Sequence, residues 1–285
     1  MLIIDSHTHT YSPDEWSYPP AQEARRPAAG IGSLQHLQET CKANGVSAAV
    51  VIQTHSFYRW DNRYMSHLAA TQSDWIAGVC ALDPEDPKGP AILTELVRDY
   101  SVRGVRILTL NSGHLDVPEV RRLWAKATEL GLVINVVTST AHTDQLASLL
   151  RAFPTATAVL EHSLCINRVQ DKAESLRALG SLAHSPNAVV ELCDLPVVSK
   201  EGFPFTDVHG LFMEIIQMFG PERCVWGSGF PTEFWVEKAG VPEVLDVFVH
   251  QLPLDEAARS QVLGETAARL WFPHLGRGQP ERPVC

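Results

Sequence analysis

The chain has 285 residues, with 33 acidic against 23 basic side chains and a formal net charge of −10. This acidic balance argues against non-specific binding to nucleic acid or to an anionic membrane surface. Hydrophobic residues make up 45% and charged residues 20%, an ordinary globular composition. No apolar run approaches the roughly 18 residues of a spanning helix, and the N-terminus lacks the basic segment of a signal peptide. We therefore expect a cytoplasmic protein without a nucleic-acid or membrane partner; formation of a homo-oligomer stays open.

The six cysteines are scattered singly, without a C-x-x-C pair, and several lie inside apolar runs. This usage predicts buried, reduced thiols.

Short apolar runs alternate with amphipathic helical patterns along the whole chain. The near-continuous apolar character of the runs is typical of parallel strands covered by helices on the outside. Together they predict an α/β fold, a single (β/α)8 TIM barrel that forms one domain over residues 1–285. An open doubly wound sheet is the alternative, but it would more often show a glycine-rich phosphate loop after the first strand. The predicted strands are Leu2–Asp5, Val46–Gln53, Trp75–Leu82, Gly104–Leu110, Leu132–Thr138, Thr157–Glu161, Ala188–Leu192 and Arg223–Gly227.

His7 and His9 follow the first predicted strand. Residues two apart in a strand point to the same side, and function in such barrels lies at the C-terminal ends of the strands. We therefore expect both imidazoles in the barrel mouth, where they can chelate one divalent ion or bind an anion and transfer protons. Two ordinary loop histidines are the alternative.

The loop after the second strand is polar and aromatic, as suits the wall of a substrate pocket. Its candidate substrate-binding residues are His55, Tyr58, Arg59 and Asp61. His55 fits a surface loop equally well.

Arg106 lies inside the apolar fourth strand, where a charged side chain is costly unless it is paired or used. Its guanidinium group can bind a substrate carboxylate through two hydrogen bonds. An ion pair in the barrel wall is the alternative.

His162 ends the sixth strand and is the third candidate imidazole, with a satisfied core histidine as the alternative. Glu191 ends the seventh strand and either lines the pocket or has a structural role. Three imidazoles, His7, His9 and His162, predict one weakly held divalent ion, zinc or manganese, or no metal at all. Strand five carries neither His nor Lys, so a binuclear centre is not expected.

Several motifs occur in a fixed order along nearly the whole chain. They include Ile4–His9, Gly104–Arg106, Leu160–His162, Phe219–Arg223, Trp226–Ser228 and Leu263–Leu270. Their order and spacing resemble the amidohydrolase-related superfamily of TIM-barrel hydrolases, in its amidohydrolase 2 group.

The retained Leu-Glu-His of strand six, without a strand-five His, resembles the lactonase branch of that superfamily, the pyrone-dicarboxylate and sugar-lactone lactonases. The resemblance implies hydrolysis of a small cyclic ester. It implies that His7, His9 and His162 polarise the carbonyl group or hold a metal, and that Arg106 holds a substrate carboxylate.

The chain departs from the family at the end of strand eight. The family reads Gly-Ser-Asp there, and the Asp is the general base or a metal ligand, whereas this chain has Gly229. Glycine has no side chain to take a proton or bind a metal. Three explanations stand: an engineered inactive variant, a natural member whose base is Glu233, Glu191 or Asp61, or a reaction other than hydrolysis. An aspartate at position 229 is expected to add hydrolytic activity and metal affinity.

The leading hypothesis is a lactonase-type hydrolase that opens a small, carboxylated ring ester. A metal-dependent decarboxylase of an aromatic or unsaturated acid is one alternative. A catalytically dead barrel that acts as a binding protein is another.

Overall fold

The computed structural model describes residues 1–109, 113–169 and 171–275. They contain one sheet of eight parallel strands whose spatial order is their order in the chain. The strands are β1 (Ile4–Thr8), β2 (Ala48–Ile52), β3 (Ile76–Ala81), β4 (Gly104–Leu108), β5 (Val133–Val137), β6 (Thr157–Leu160), β7 (Ala188–Leu192) and β8 (Cys224–Trp226). The predicted (β/α)8 barrel is confirmed. Leu110, the predicted end of strand four, lies outside the described residues.

The barrel closes between β1 and the segment after β8. The Gly229 amide donates to His7 O at 3.1 Å, and the His9 amide donates to Phe230 O at 2.8 Å. The Ser228 amide donates to the buried Asp5 carboxylate at 2.8 Å. Position 229 is therefore tied directly to the histidine segment.

The helices that lie between consecutive strands pack on the outer face of the sheet. The longer ones are Leu34–Ala43, Arg63–Thr71, Gly89–Tyr100, Pro118–Glu129, Thr143–Ala152, Lys172–Ala183 and His209–Phe219, followed after β8 by Val241–Asp246, Glu256–Ser260 and Thr266–Trp271 with π-helical turns at Val247–Gln251 and Gln261–Glu265. Single helical turns at His55–Tyr58, Leu195–Val198 and Thr232–Trp235 lie in the loops after β2, β7 and β8.

The first strand is Ile4–Thr8, three residues further along than its predicted end at Asp5. The polar residues of this strand are buried and satisfied by neighbouring strands. Ser6 Oγ donates to Trp226 O at 2.7 Å, and Thr8 Oγ1 donates to Val50 O at 2.8 Å. Because an apolar pattern does not register such residues, it ends the strand too early.

Alternate strand residues belong to two separate apolar cores. The larger core lies between the strands and the helices, whereas a smaller one fills the barrel and is closed by residues of the C-terminal helix. Trp271, 1% exposed, packs there, and a Cβ built at Gly104 would lie 3.4 Å from its Nε1. With its N-terminal end filled, the barrel is open to ligands at the C-terminal ends of its strands.

Cys41, Cys80, Cys165, Cys193 and Cys224 are buried and unpaired, as predicted, whereas Cys285 lies outside the described residues. No helix in the described part of the chain is both long enough and apolar enough to span a membrane.

Replacement of Trp271 by alanine is expected to lower the free energy of unfolding by about 3–5 kcal/mol, because it leaves a large cavity inside the barrel. Trp16, 94% exposed, is the matched control, and its replacement by alanine should change that free energy by less than about 0.5 kcal/mol. Urea denaturation followed by circular dichroism measures both values. Equal effects of the two substitutions would contradict a structural role of Trp271 in the barrel core.

Candidate active site

His7 and His9 lie side by side at the barrel mouth, with their Nε2 atoms 3.2 Å apart. The opposite ring nitrogen of each is held by an acceptor. His7 Nδ1 lies 3.0 Å from Glu191 Oε1, and His9 Nδ1 lies 2.9 Å from Ile52 O. Carbonyl and carboxylate oxygens accept hydrogen bonds, so both Nδ1 atoms carry the proton and both Nε2 atoms present lone pairs.

Burial keeps both rings neutral. It lowers the pKa of His7 to about 3 and lowers the pKa of His9 well below its ordinary value. The neighbouring His162 acts in the same direction on His7 through charge repulsion. Neutral imidazole is the form that binds metals.

The two converging lone pairs repel each other unless a cation lies between them. Two nitrogens bound to one tetrahedral zinc ion at about 2.05 Å lie roughly 3.3 Å apart, close to the observed separation. His7 and His9 therefore fit one divalent ion. His7, His162, Glu191 and Cys193 also form a group whose possible donor atoms lie within 4.8 Å of one another. Both oxygens of Glu191 are already hydrogen-bonded, so we assign this carboxylate to orienting His7 rather than to binding the ion.

Glu191 is the central acceptor beneath the mouth and has no solvent exposure. Its Oε1 faces His7, and its Oε2 accepts from the His162 amide at 3.0 Å and from Cys193 Sγ at 3.1 Å. Burial raises the pKa of Glu191, and the charge of His162 opposes this rise. Three donors on one carboxylate favour its ionised form.

His162 begins a turn in which four consecutive residues, none of them glycine, have positive φ. The φ angles of His162, Ser163, Leu164 and Cys165 lie between 48° and 61°. Left-handed backbone costs roughly 1–2 kcal/mol per residue for L-amino acids, and such strain concentrates at functional sites. Burial of Leu164 and a hydrogen bond from Ser163 Oγ to Glu191 O at 2.9 Å hold the turn in place.

Asp194 lies two residues after β7 and pairs with His162. Its Oδ2 lies 3.1 Å from His162 Nδ1 and accepts from Asn167 Nδ2 at 2.6 Å. Burial alone would lower the pKa of His162, but the Asp194 carboxylate and its hydrogen bond raise that pKa to about 9. Burial alone would raise the pKa of Asp194, but His162 lowers it to about 2. The pair is therefore ionic at neutral pH.

Arg106 lies at the side of the pocket, and its guanidinium group is engaged by Glu161. Nε and Nη2 donate to Glu161 Oε2 at 2.9 Å and 2.6 Å. This is the ion pair that the sequence left as the alternative to substrate binding. Among the described residues, no hydrogen bond uses Nη1 of Arg106. One edge of the guanidinium group can therefore bind a ligand.

A cavity of about 520 Å³ opens above these groups. Six of its lining residues are site residues predicted from the sequence: His7, His9, His55, Arg106, His162 and Gly229. Arg59 lines a smaller neighbouring cavity and pairs with Glu23.

The other predicted residues do not line this cavity. Tyr58 is buried and accepts from the Ser12 amide at 2.8 Å. Asp61 pairs with Arg63, and Glu233 lies 3.3 Å from His36 Nε2.

The lining also includes residues that were not predicted from the sequence, namely Asn167, Arg168, Asp194, Val197 and Trp235. The sequence could have indicated Asp194 as a site residue, because it follows the C-terminal end of a barrel strand. It could not have indicated the left-handed turn at His162, because the turn contains no glycine.

Eight parallel strands around a histidine cluster at their C-terminal ends define a TIM-barrel enzyme. The amidohydrolase family model matches residues 4–272, so the chain belongs to that family and is a hydrolase. L-fucono-1,5-lactonase of Burkholderia ambifaria is 25% identical over 236 residues, 80% of each chain. The 4-sulfomuconolactone hydrolase of Rhizobium radiobacter is 27% identical over 191 residues, 62% of each chain. A Pseudomonas putida structure described as a 2-pyrone-4,6-dicarboxylic acid hydrolase superposes with a TM-score of 0.78 at 22% identity, covering 94% of this chain and 97% of that one.

Replacement of Glu191 by glutamine is expected to weaken zinc binding about 10- to 100-fold. The glutamine amide can donate to His7 Nδ1, which moves the ring proton to Nε2 and removes one lone pair. Glu95 is exposed on the outer helix Gly89–Tyr100, and its replacement by glutamine is the matched control. Titration of chelator-treated protein with zinc measures the affinities. Equal zinc affinity in the two folded variants would contradict the orienting role of Glu191.

Proposed function

We propose that this hydrolase opens a small lactone that carries an anionic group. The observation that carries the proposal is the pair of neutral imidazoles, with converging Nε2 atoms, at the base of the cavity. Both curated relatives are lactone hydrolases by name, which favours a cyclic ester over other substrates of the family. A cavity of about 520 Å³ is of the size that holds a small-molecule ligand.

Two guanidinium groups favour an anionic substrate. Arg106 offers its Nη1 edge to the cavity. The exposed Arg168 also lines the cavity, and the described residues provide it with no acidic partner. Arginine binds carboxylates through paired hydrogen bonds of fixed geometry. A lactone with a carboxylate or sulfonate substituent could therefore be oriented between them.

The polar and apolar linings suit different parts of such a ring. His55, His162 and Asn167 supply donors and acceptors, whereas Leu108, Val137, Val197 and Trp235 supply apolar contacts. His162, held by Asp194 through Nδ1, is positioned to donate toward the carbonyl oxygen of the substrate, where negative charge develops during attack by water.

Members of the amidohydrolase family typically bind a metal. In this chain His7 and His9 would hold one divalent ion, zinc or manganese, and His162 lies beside them, with its ring centroid 4.5 Å from that of His7. Such an ion would act as a Lewis acid on the carbonyl group. His7 and His9 are the only ligands we assign to it, so we expect weak binding.

A panel assay with the purified chain, with and without added zinc or manganese, tests the function. Sugar lactones, muconolactones and carboxylated pyrones are followed by acid release, and aromatic carboxylic acids by carbon dioxide release. We expect turnover of an anionic lactone. Turnover of an aromatic acid alone would favour the decarboxylase alternative, and binding of a lactone without turnover would favour the binding-protein alternative.

Replacement of Arg168 by methionine is expected to raise the KM for an anionic lactone about tenfold, the equivalent of about 1.4 kcal/mol, and to leave kcat unchanged. Arg106 is a less clean test, because its removal leaves Glu161 buried and unpaired and should also destabilise the fold. The control is Arg122→Met, whose side chain is 46% exposed on an outer helix. Steady-state kinetics decide, and an unchanged KM would remove Arg168 from substrate binding.

A further inference from the structure

The turn after β8 leaves an open space at the barrel mouth. Gly229 has φ +71°, and a Cβ built there would meet a single atom within 4 Å, Asp194 Oδ1 at 3.4 Å. A carboxylate oxygen from the neighbouring strand end thus borders the space that a side chain at position 229 would enter.

Asp194 is bound on one side only. Its Oδ2 is engaged by His162 and Asn167, whereas the hydrogen bonds of the described residues leave Oδ1 without a partner. The side chain is 18% exposed and lines the cavity. A carboxylate fixed through one oxygen and free at the other is in the arrangement required to take a proton from a bound water molecule.

The other carboxylates near the site do not meet this requirement. Glu161 also has one oxygen without a partner, Oε1, but it has no exposure and does not line the cavity. Glu191 has no exposure either, and both of its oxygens are occupied. Asp61 and Glu233 are paired outside the cavity lining. Among the cavity-lining residues that the structure describes, Asp194 is the single carboxylate.

We propose that Asp194 is the catalytic base of this enzyme and acts in the place where Gly229 offers no side chain. The assignment rests on the proposed lactone hydrolysis. Oδ1 takes a proton from water while the water oxygen bonds to the lactone carbonyl carbon. The tetrahedral intermediate then collapses, the bond from the carbonyl carbon to the ring oxygen breaks, and the proton passes from Asp194 to that oxygen. The product is the ring-opened hydroxy acid, and the carboxylate is regenerated.

Asp194→Asn tests the base directly, because asparagine keeps the shape and a hydrogen-bond acceptor for His162. We expect kcat on the best lactone to fall roughly 10²- to 10⁴-fold with little change in KM. Asp99→Asn is the control, since Asp99 also forms an ion pair with an arginine but is exposed at the end of an outer helix. Circular dichroism and zinc content, measured on all proteins, should match the native chain.

A transfer of the carboxylate provides the second test. Asp194 and Gly229 both have left-handed backbone, φ +60° and +71°, which glycine adopts freely and aspartate tolerates better than most residues. We expect Asp194→Gly to lose activity and the double variant Asp194→Gly/Gly229→Asp to regain at least tenfold over it. Gly229→Asp alone should bring no gain, because two adjacent carboxylates repel each other. This replaces the expectation from sequence that an aspartate at position 229 would by itself add activity.

The outcomes distinguish a failure of the role assigned to Asp194 from a failure of the proposed function. An active native enzyme with an equally active Asp194→Asn variant would overturn the role of Asp194 alone. Loss of zinc in proportion to activity would make Asp194 a metal ligand and would also overturn it. A native enzyme that hydrolyses none of the lactones would overturn the proposed function, and the assignment of Asp194 with it.

Discussion

The Glu191 carboxylate is the constraint on which the site depends. It has no exposure, so its charge would be costly to bury without the three donors that converge on it from His7, His162 and Cys193. These donors belong to β1, to the turn after β6 and to the end of β7. One buried acceptor therefore sets both the proton position on His7 and the place where the His162 turn begins.

Left-handed backbone follows three consecutive strands of the barrel. The turn that begins at His162 follows β6, Asp194 follows β7 and Gly229 follows β8. His162, Asp194 and Gly229 all line the cavity at the barrel mouth. The strain at the non-glycine positions is offset by dense packing below them, where Leu164 and Leu195 are fully buried.

The parts that could be predicted from the sequence are those with a repeating physical signal. Apolar strands and amphipathic helices recur eight times, and His7 and His9 follow from strand geometry. The partner of Arg106 could not be predicted, because Glu161 lies 55 positions away and the two meet only when β4 and β6 close the barrel. Asp194 is not among the bases predicted from the sequence, which are Glu233, Glu191 and Asp61, although it follows a barrel strand. Only the folded chain shows that its Oδ1 borders the space at Gly229, which two strand ends share.

The open space at Gly229 bears on how the loss of a catalytic residue is recognised in barrels of this kind. When adjacent strand ends turn with the same left-handed geometry, a functional group can move from one loop to the next while the centre of the site stays fixed. A column-by-column comparison of homologues then records the loss of a carboxylate at one position and an unrelated polar residue at another. Only the three-dimensional neighbourhood distinguishes an enzyme that has lost a function from one that has relocated it.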